Sequence, residues 1–319
     1  MKVRIGVGLG VSRGSGAGRP GGHDSGRPDG PDGASPGFGE VVDAIEESGF
    51  DSLWCSERLT SPTIDPLVAL SFAAGRTTRI KLGTSVLVVP GRNPVVLAKQ
   101  LGSLASLSKG RLLPAFGLGA VDPAEQQAFG VERSERAGWI EEVLPLLRRL
   151  WSERSVDHSG TRFSYESLSI SPKPPGGHLD VWLGGRAPSE LRRTGRLADG
   201  WLASFCTPEE ASAGRDVIES AAAAAGRQID PEHFGALVSF ATRPLSDDLR
   251  SRLARVRPAG AIEDVVPIGT EALRERIEAF VRVGVSKLVL VPLEPAGPKY
   301  FESLGASVLD QQRVVASDI

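Results

Sequence analysis

The segment IKLGTSVLVV at residues 80–89 is a continuous, mostly apolar run, and the turn PGRNP at residues 90–94 follows it directly. Asn93 before Pro94 favours a helix start, because the asparagine side chain caps free N–H groups and proline suits the first helical position. Apolar residues on both faces of a strand, followed at once by a helix, are typical of a parallel sheet covered on both sides. This segment therefore predicts a strand–helix unit of an α/β protein.

The same unit recurs along most of the chain. The predicted strands are Val3–Leu9, Asp51–Cys55, Ile80–Val89, Arg111–Gly117, Leu179–Gly184, Gly200–Ser204, Ala236–Ala241 and Ser286–Pro292. Eight such strands separated by helices favour a TIM-type (β/α)8 barrel, with residues 1–319 forming a single domain. An open doubly wound sheet is the alternative, because strand counting alone does not exclude it.

Three segments are insertions relative to a minimal (β/α)8 barrel. Ser12–Pro36 contains 8 glycines, 4 prolines and 4 serines but no large apolar side chain, so we expect a mobile loop after strand 1. Ser155–His158 and Arg162–Ile170 predict a hairpin before strand 5. Arg243–Pro267 is a polar, helix-prone insertion after strand 7. Loops after strands lie on the catalytic face of a barrel, so we expect the first and third insertions over the active site.

The composition narrows the classes of function. The 319 residues carry 37 Lys and Arg against 39 Asp and Glu, a net charge of −2, which does not predict binding to nucleic acid or a membrane surface. No apolar run approaches the roughly 20 residues of a membrane span, and no signal-peptide pattern is present. Cys55 and Cys206 are too few for a disulfide framework, and we expect both to be packing residues. These features predict a soluble cytoplasmic protein.

The four histidines do not stand at positions where barrel catalysis is expected. His178 and His233 precede strands 5 and 7, His158 lies in the predicted hairpin, and His23 lies in the glycine-rich loop. Structural surface roles are therefore the expected ones. No histidine pair has metal-ligand spacing and no nucleophile elbow occurs, so we expect neither a metal site nor serine-hydrolase chemistry.

Two glycine-rich turns follow predicted strands 4 and 5, namely GLGA at 117–120 and GGRA at 184–187. Free N–H groups at a helix start can bind phosphate where glycine permits close approach, and a neighbouring arginine adds a charge-assisted contact. Glycine also ends many strand–helix units for conformational reasons, so an ordinary turn is equally open. The candidate anion-binding residues are Gly117, Gly119, Gly184, Gly185 and Arg186.

Five strings occur in order: GFDSLW (49–54), LGTSVL (82–87), RNP (92–94), DVWLGG (180–185) and LADGW (197–201). Together they resemble the bacterial-luciferase-like superfamily, and most of all its branch that uses the deazaflavin coenzyme F420. The similarity is dense over residues 37–205 and looser over residues 269–292.

The resemblance implies a barrel with a cofactor ring at the carboxyl ends of the strands. In the deazaflavin branch the Ser–Val step of strand 3 is a non-proline cis peptide that forms a bulge against the ring, and this role carries over to Ser85 and Val86. An ordinary buried strand is the alternative. Trp54 and Trp201 flank the same face, where each would line the cofactor pocket or pack in the core.

One position departs from the family pattern. Many relatives carry Asp-His after strand 2, with the histidine serving proton transfer, whereas this chain has Glu57-Arg58. Arginine stays protonated and cannot act as a general base at neutral pH. Either Glu57 takes the acid/base role, or Arg58 binds an anionic group or polarises a carbonyl. A surface ion pair between Glu57 and Arg58 is the alternative.

The resemblance implies an oxidoreductase that transfers a hydride between F420 and a small organic substrate, and it suggests a homodimer. Two other functions stay open at this point. One is a monooxygenase dependent on reduced FMN on the same barrel, and the other is a cofactor-binding barrel without turnover. The substrate and the direction of hydride transfer do not follow from the sequence.

Overall fold

β-Strands and α-helices alternate along residues 1–9, 37–257 and 261–315, which are the residues that the computed structural model describes. The expected mobile loop Ser12–Pro36 lies outside these residues. The strands are β1 (Arg4–Leu9), β2 (Ser52–Cys55), β3 (Lys81–Thr84), β4 (Leu87–Val88), β5 (Leu112–Leu113), β6 (Ala115–Gly117), β7 (Val156–Ser159), β8 (Ser164–Leu168), β9 (Trp182–Gly184), β10 (Gly200–Ser204), β11 (Phe234–Phe240) and β12 (Lys287–Pro292). The helices are α1 (Phe38–Ser48), α2 (Pro66–Arg76), α3 (Pro94–Leu107), α4 (Pro123–Phe129), α5 (Arg136–Ser152), α6 (Pro188–Leu197), α7 (Pro208–Ala224), α8 (Asp247–Val256), α9 (Thr270–Arg282) and α10 (Pro298–Val308).

Ten of these strands form one parallel sheet in the order β4-β6-β9-β10-β11-β12-β1-β2-β3-β5. The predicted third strand is divided into β3 and β4, and the predicted fourth strand into β5 and β6. Because β3 pairs with β5 and β4 pairs with β6, the two divided strands lie side by side and the sheet closes on itself. The predicted TIM-type barrel is therefore confirmed, and the open doubly wound sheet is wrong.

Both divided strands have a local cause. The Ser85–Val86 peptide bond is cis and separates β3 from β4, as the resemblance implied. Pro114 separates β5 from β6, because proline has no N–H for the ladder. Its carbonyl still accepts the Trp182 N–H at 3.0 Å, so the fourth strand stays attached to β9 across the break.

Side-chain caps begin the helices soon after the strands end. Asp65, Asn93 and Asp122 each accept two backbone N–H groups of the following helix, and a proline occupies the first helical position in each case. Thr207 and Glu210 form a capping box at the start of α7. These caps set where each loop on the carboxyl side of the barrel ends.

The described residues include the second predicted insertion and most of the third. The predicted hairpin before the fifth barrel strand is confirmed as the antiparallel pair β7–β8. The insertion after β11 contains α8, and Arg257 at its end donates to Glu210 at 2.9 and 3.0 Å and to the Phe205 carbonyl at 3.0 Å. These bonds hold the insertion against the start of α7, on the carboxyl side of the barrel. No helix within the described ranges is long and apolar enough to cross a membrane.

Two tryptophans fill much of the barrel interior, and glycines on neighbouring strands make room for them. A Cβ atom on Gly83 would lie 2.2 Å from the Trp54 ring. Cβ atoms on Gly200 and Gly235 would lie 2.5 and 2.9 Å from the Trp182 ring. The interior cluster consists of Trp54, Ala115, Trp182, Leu202 and Val289, and a larger apolar layer lies between the barrel and its helices.

We expect Gly195→Ala to lower the free energy of unfolding by about 1–3 kcal/mol, because α6 and α7 pack too closely for a side chain there. The added Cβ would lie 2.3 Å from the Ile218 carbonyl oxygen and 2.8 Å from Ala221 Cβ. Urea unfolding followed by tryptophan fluorescence measures the change. Gly75→Ala in α2 is the matched control, because nothing lies within 4 Å of its added Cβ, so that variant gains up to about 1 kcal/mol. Equal unfolding midpoints for the two variants would contradict the close packing of α6 on α7.

Candidate active site

A cavity of about 380 Å³ opens at the carboxyl ends of β2, β4, β6, β9 and β10, and we call it the central cavity. Strand closure brings together loops that are far apart in the chain, as expected for the catalytic face of a barrel. The predicted site residues that line it are Glu57, Arg58, Ser85, Val86, Gly117, Gly119, Gly184 and Gly185. Trp54 and Arg186 do not line it.

Val86 projects between β6 and β9 beneath the central cavity. A Cβ on Gly117 would lie 2.5 Å from Val86 Cγ2, and one on Gly184 would lie 2.9 Å from Val86 Cγ1. Glycine at both positions therefore makes room for Val86, a role that differs from the expected approach of a phosphate. Ser56 Oγ donates to the Ser85 carbonyl at 2.9 Å and lies 3.1 Å from Ser85 Oγ, so β2 holds the bulge in place.

Glu57 is buried, and both of its carboxylate oxygens have donors. Oε2 accepts the Val88 N–H at 2.7 Å, and Oε1 pairs with the Arg92 guanidinium. Burial raises the pKa of Glu57, while the Arg92 charge and the Val88 hydrogen bond oppose that rise. The alternative of a surface ion pair with Arg58 is wrong. The two bonds also disfavour Glu57 as a mobile proton carrier and make it an anchor for β4.

Arg58 lies at the cavity with 42% of its side chain exposed, and its Nε is 3.6 Å from Glu125 Oε1. Glu125, on α4, is buried and accepts the N–H groups of Leu59 and Thr60 and the Thr60 hydroxyl, at 3.2, 2.9 and 2.6 Å. Burial alone would raise the pKa of Glu125, but these hydrogen bonds outweigh it and lower the pKa. Glu125 thus ties the loop after β2 to α4. Nothing in its local sequence marked it for this role.

The turn after β9 is closed by a carboxylate. Glu190 Oε2 accepts the N–H groups of Arg186 and Ala187 at 3.0 and 2.9 Å, so these groups are not free for a phosphate, contrary to the expectation for this turn. Gly185 has a φ of 107°, and a Cβ there would lie 2.7 Å from Glu190 Oε2, which explains the glycine. Trp201 packs in the core and donates its indole N–H to the Gly185 carbonyl at 2.9 Å.

A second cavity of about 790 Å³ adjoins the central cavity through Leu118, Gly119 and Glu190. We call it the arginine cavity. Its described lining contains five arginines and two glutamates, a formal charge of +3. The arginines are Arg133, Arg136, Arg186, Arg193 and Arg257. Only Arg186 among these arginines was singled out from the sequence, so the positively charged surface is larger than expected.

Arg136 shows most clearly that this surface suits an anion. Its Nε donates to the Val131 carbonyl at 3.1 Å and its Nη1 to the Leu118 carbonyl at 3.0 Å, whereas the buried Nη2 has no partner among the described residues. A buried N–H without a partner is costly, and an anionic ligand would satisfy it. Arg133 and Arg136 stand at the start of α5, where the helix dipole disfavours cations. That unfavourable placement was the sequence signal available for both residues.

Trp54 is a core residue and not a cavity residue, which corrects its assignment to the cofactor. It is fully buried inside the barrel, and its indole N–H donates to Ser52 Oγ at 2.9 Å. Because alternate residues of a strand face opposite sides, Trp54 and Ser52 both point inward below the central cavity.

Residues at the amino-terminal end of the barrel have a structural role. His178, Asp180 and Asp199 bring their ligand atoms within 4.8 Å of one another, although the sequence predicted no metal-ligand spacing. Asp199 accepts from Arg148 at 2.7 Å, from Arg227 at 3.3 Å and from the Val181 N–H at 2.9 Å. Its carboxylate is therefore neutralised by the protein itself.

The buried cysteines Cys55 and Cys206 are both free thiols. Burial raises the pKa of each to about 12, so neither is a thiolate at neutral pH. This agrees with the expectation that both are packing residues.

Comparisons with known proteins relate this chain to one family. The family model for luciferase-like monooxygenases matches residues 20–286. The F420-dependent glucose-6-phosphate dehydrogenase of Kineococcus radiotolerans is 30% identical over 167 residues, which is 49% of each chain, so this chain spans about half the length of that relative. The 5,10-methylenetetrahydromethanopterin reductase of Archaeoglobus fulgidus is 25% identical over 262 residues, 78% of this chain and 77% of that one.

A solved structure supports the same architecture. An F420-dependent secondary alcohol dehydrogenase in complex with an F420–acetone adduct superposes with a TM-score of 0.77, over 97% of this chain and 99% of that chain. At 18% sequence identity this likeness shows the fold.

We expect Arg92→Met to lower the free energy of unfolding by about 1–3 kcal/mol at neutral pH, because the buried Glu57 carboxylate loses its charged partner. The loss should grow with pH. The pKa of Glu57 in the folded protein lies above its unfolded value, so the associated stability is present at low pH and is lost as pH rises through the folded pKa. Removing Arg92 raises that pKa further. Urea unfolding at about pH 5 and about pH 8 measures the difference.

Arg76→Met is the control for the Arg92 variant. Arg76 pairs with Asp43, and the two side chains are 43% and 36% exposed, so its loss should change the free energy of unfolding little at either pH. An Arg92→Met loss that is the same at both pH values would show that Glu57 does not depend on Arg92 for its charge.

Proposed function

Because the chain belongs to the luciferase-like monooxygenase family, we propose that it is an oxidoreductase that transfers a hydride between coenzyme F420 and a small organic substrate. The observation that carries the proposal is the junction of the central cavity with the arginine cavity at Gly119 and Glu190. F420 combines a planar deazaflavin ring with a side chain that bears several negative charges, and each cavity suits one of these parts. The F420-dependent relative from Kineococcus supports the same cofactor.

The central cavity suits the ring. Val86 precedes β4, projects between Gly117 and Gly184, and offers an apolar surface on which a flat ring would rest. Ser56 and Ser85 fix that surface from the side of β2. When bound there, F420 would supply or accept the hydride, while the protein supplies orientation and excludes water.

The arginine cavity suits the anionic side chain. Arg136 would satisfy its unpartnered Nη2 on a phosphate or carboxylate oxygen, and charge-assisted hydrogen bonds of this kind are stronger than neutral ones. Arg133 and Arg193 line the same cavity, with Arg193 held 3.0 Å from Glu141. Arg186 contributes to this cavity rather than to the helix start for which it was singled out.

Arg58 is the residue that we assign to the substrate. It lies at the central cavity, stays protonated at neutral pH, and would bind or polarise a substrate oxygen. Glu57 next to it remains a candidate for proton transfer, but its bonds to Val88 and Arg92 support a positioning role. Arg58→Lys keeps the charge and loses the planar fork.

Two alternative functions remain, and each has its own test. A reduced-FMN monooxygenase would use the same ring surface, but the single phosphate of FMN matches the formal charge of +3 in the arginine cavity less well than the several charges of the F420 side chain do. Oxygen consumption with reduced FMN would identify it. A cofactor-binding protein without turnover would bind F420 and give no absorbance change with any substrate.

Titration by fluorescence quenching should show tighter binding of F420 than of FMN. Arg133→Ala should weaken F420 binding by about 5- to 10-fold, since one charge-assisted contact is lost, and the loss should shrink at high salt. Arg133 is exposed, so the variant should fold normally. Arg192→Ala is the matched control, because Arg192 is an exposed arginine of α6 outside the cavity lining. A clear preference for FMN would overturn the cofactor assignment, and equal effects of the two variants would place the side chain elsewhere.

A homodimer and a cytoplasmic location belong to the same proposal. Ile64, Val68 and Phe72 are 49%, 63% and 48% exposed, and Val68 and Phe72 stand one turn apart on α2. Such an exposed apolar row supports contact with a second copy of the chain.

Val68→Glu should shift the sedimentation coefficient from dimer to monomer, because a charge would then be buried at the contact. Val314→Glu is the control, since Val314 is 77% exposed near the end of the described chain and away from α2. A wild-type protein that sediments as a monomer would refute the dimer without affecting the cofactor assignment.

A further inference from the structure

A third cavity, of about 250 Å³, lies between the carboxyl ends of β1, β2 and β12 and the helices α1, α2 and α10. We call it the apolar cavity. Most of its described lining is apolar, with Leu9, Val41, Ala69 and Phe301 among its walls. Ser56 lines both this cavity and the central cavity, so the two adjoin at the residue that also holds the Ser85–Val86 bulge.

The three cavities have a fixed order. The arginine cavity meets the central cavity at Leu118, Gly119 and Glu190, on the side of β6 and β9. The apolar cavity meets it at Ser56, on the side of β2. A cofactor with its ring in the middle and its anionic side chain among the arginines would leave the Ser56 side for the molecule with which it exchanges a hydride.

The charge of the apolar cavity opposes an anionic substrate. Of the residues described in its lining, Glu294 is the one that carries a charge at neutral pH, since the raised pKa of Cys55 keeps that thiol protonated. Glu294 Oε1 accepts the Thr242 N–H and the Tyr300 hydroxyl, both at 2.9 Å, which fixes the carboxylate beside the cavity. Hydroxyl groups of Ser56 and Thr63 provide hydrogen-bonding partners that are neutral.

We propose that the apolar cavity binds the substrate, and that the substrate is a small uncharged alcohol, or the matching carbonyl compound, with an apolar body. This rests on the proposed function for the cofactor. The substrate oxygen lies where the two cavities adjoin: Ser56 Oγ, which donates to the Ser85 carbonyl, keeps a lone pair for a substrate hydroxyl, and Arg58 on the side of the central cavity would polarise a substrate carbonyl. An apolar cavity of about 150 Å³ holds benzene, so this one has room for a six-membered ring with a few further atoms.

The redox step balances with the proposed cofactor alone. An alcohol gives up a hydride from its carbinol carbon, which passes to the oxidised deazaflavin, and a proton from its hydroxyl, which passes to solvent. A carbonyl compound takes up the same hydride and proton in the reverse direction.

Binding of cyclohexanol to the cofactor-free protein, measured by isothermal titration calorimetry, tests the cavity without requiring turnover. Ala69→Leu fills the cavity from α2 and should weaken binding at least about fivefold. Ala74→Leu is the matched control on the same helix, because Ala74 lies outside the lining, and it should bind as the wild type does. Ala296→Leu fills the cavity from a partly exposed loop position and gives a second test if Ala69→Leu fails to fold.

A neutral and an anionic ligand of similar shape test whether the apolar cavity excludes anions. Cyclohexanecarboxylate should bind at least about tenfold more weakly than cyclohexanol, and Glu294→Gln should remove most of that difference while keeping the acceptor oxygen. Glu302→Gln is the control, because Glu302 is an exposed carboxylate of α10 outside the lining. Equal binding of the two probes to the wild type would overturn the exclusion of anions.

Turnover distinguishes this inference from the proposed function. With F420 present, cyclohexanol should be oxidised, and Ala69→Leu should lower kcat/KM at least about fivefold with F420 affinity unchanged. Oxidation of glucose 6-phosphate, or cyclohexanol binding that Ala69→Leu and Ala296→Leu leave unchanged, would overturn the substrate class or the cavity. Failure to bind F420 while cyclohexanol binding follows the variants would refute the proposed cofactor and leave the apolar cavity as a ligand site.

Discussion

The volume inside an eight-stranded barrel is the constraint on which the rest of this structure depends. Eight strands enclose a space that side chains must fill at the density of a protein interior. Here Trp54 and Trp182 take much of that space, and Gly83, Gly200 and Gly235 on neighbouring strands leave room for them. The same complementarity of large and small continues one layer higher, where Val86 fits between two glycines. The solid interior below and the projecting valine above together define the floor of the central cavity.

Around the site, carboxylates are bonded to the protein backbone, whereas arginines line the neighbouring cavity. Glu57, Glu125 and Glu190 each accept backbone N–H groups around the central cavity, from β4, from the loop after β2 and from the turn after β9 respectively. These carboxylates therefore organise the backbone and leave little capacity for a ligand. Arg136, by contrast, keeps a buried donor without a partner beside the arginine cavity. Because the internal anions are used by the protein and cations face the cavity, this division of charge supports the proposal that the arginine cavity binds an anionic group.

These contacts show what the two residues after β2 do at the position where the chain departs from the family pattern. The Glu57-Arg58 pair does not act as one unit, since Glu57 joins Arg92 and Arg58 lies beside Glu125. One residue of the pair points into the protein and supports the bulge, while the other stays half-exposed at the cavity. A substrate oxygen at this place would therefore meet a permanent cation or the neutral hydroxyl of Ser56, in agreement with a chemistry that needs orientation more than a strong base.

The sequence by itself determined the eight barrel strands, the helix start at Asn93 and the Ser85–Val86 step. These depend on local signals: continuous apolar runs, an asparagine side chain before proline, and a short motif recognised through a family resemblance. Only the tertiary structure decided that Trp54 fills the barrel, that Glu190 occupies the helix start after β9, and that Arg133, Arg136 and Arg257 share one cavity. Residues more than a hundred positions apart meet there because the sheet closes, and closure depends on the register of all strands together. No local pattern contains that information, so the sequence predicted the Ser85–Val86 bulge but not the full set of arginines that share the neighbouring cavity.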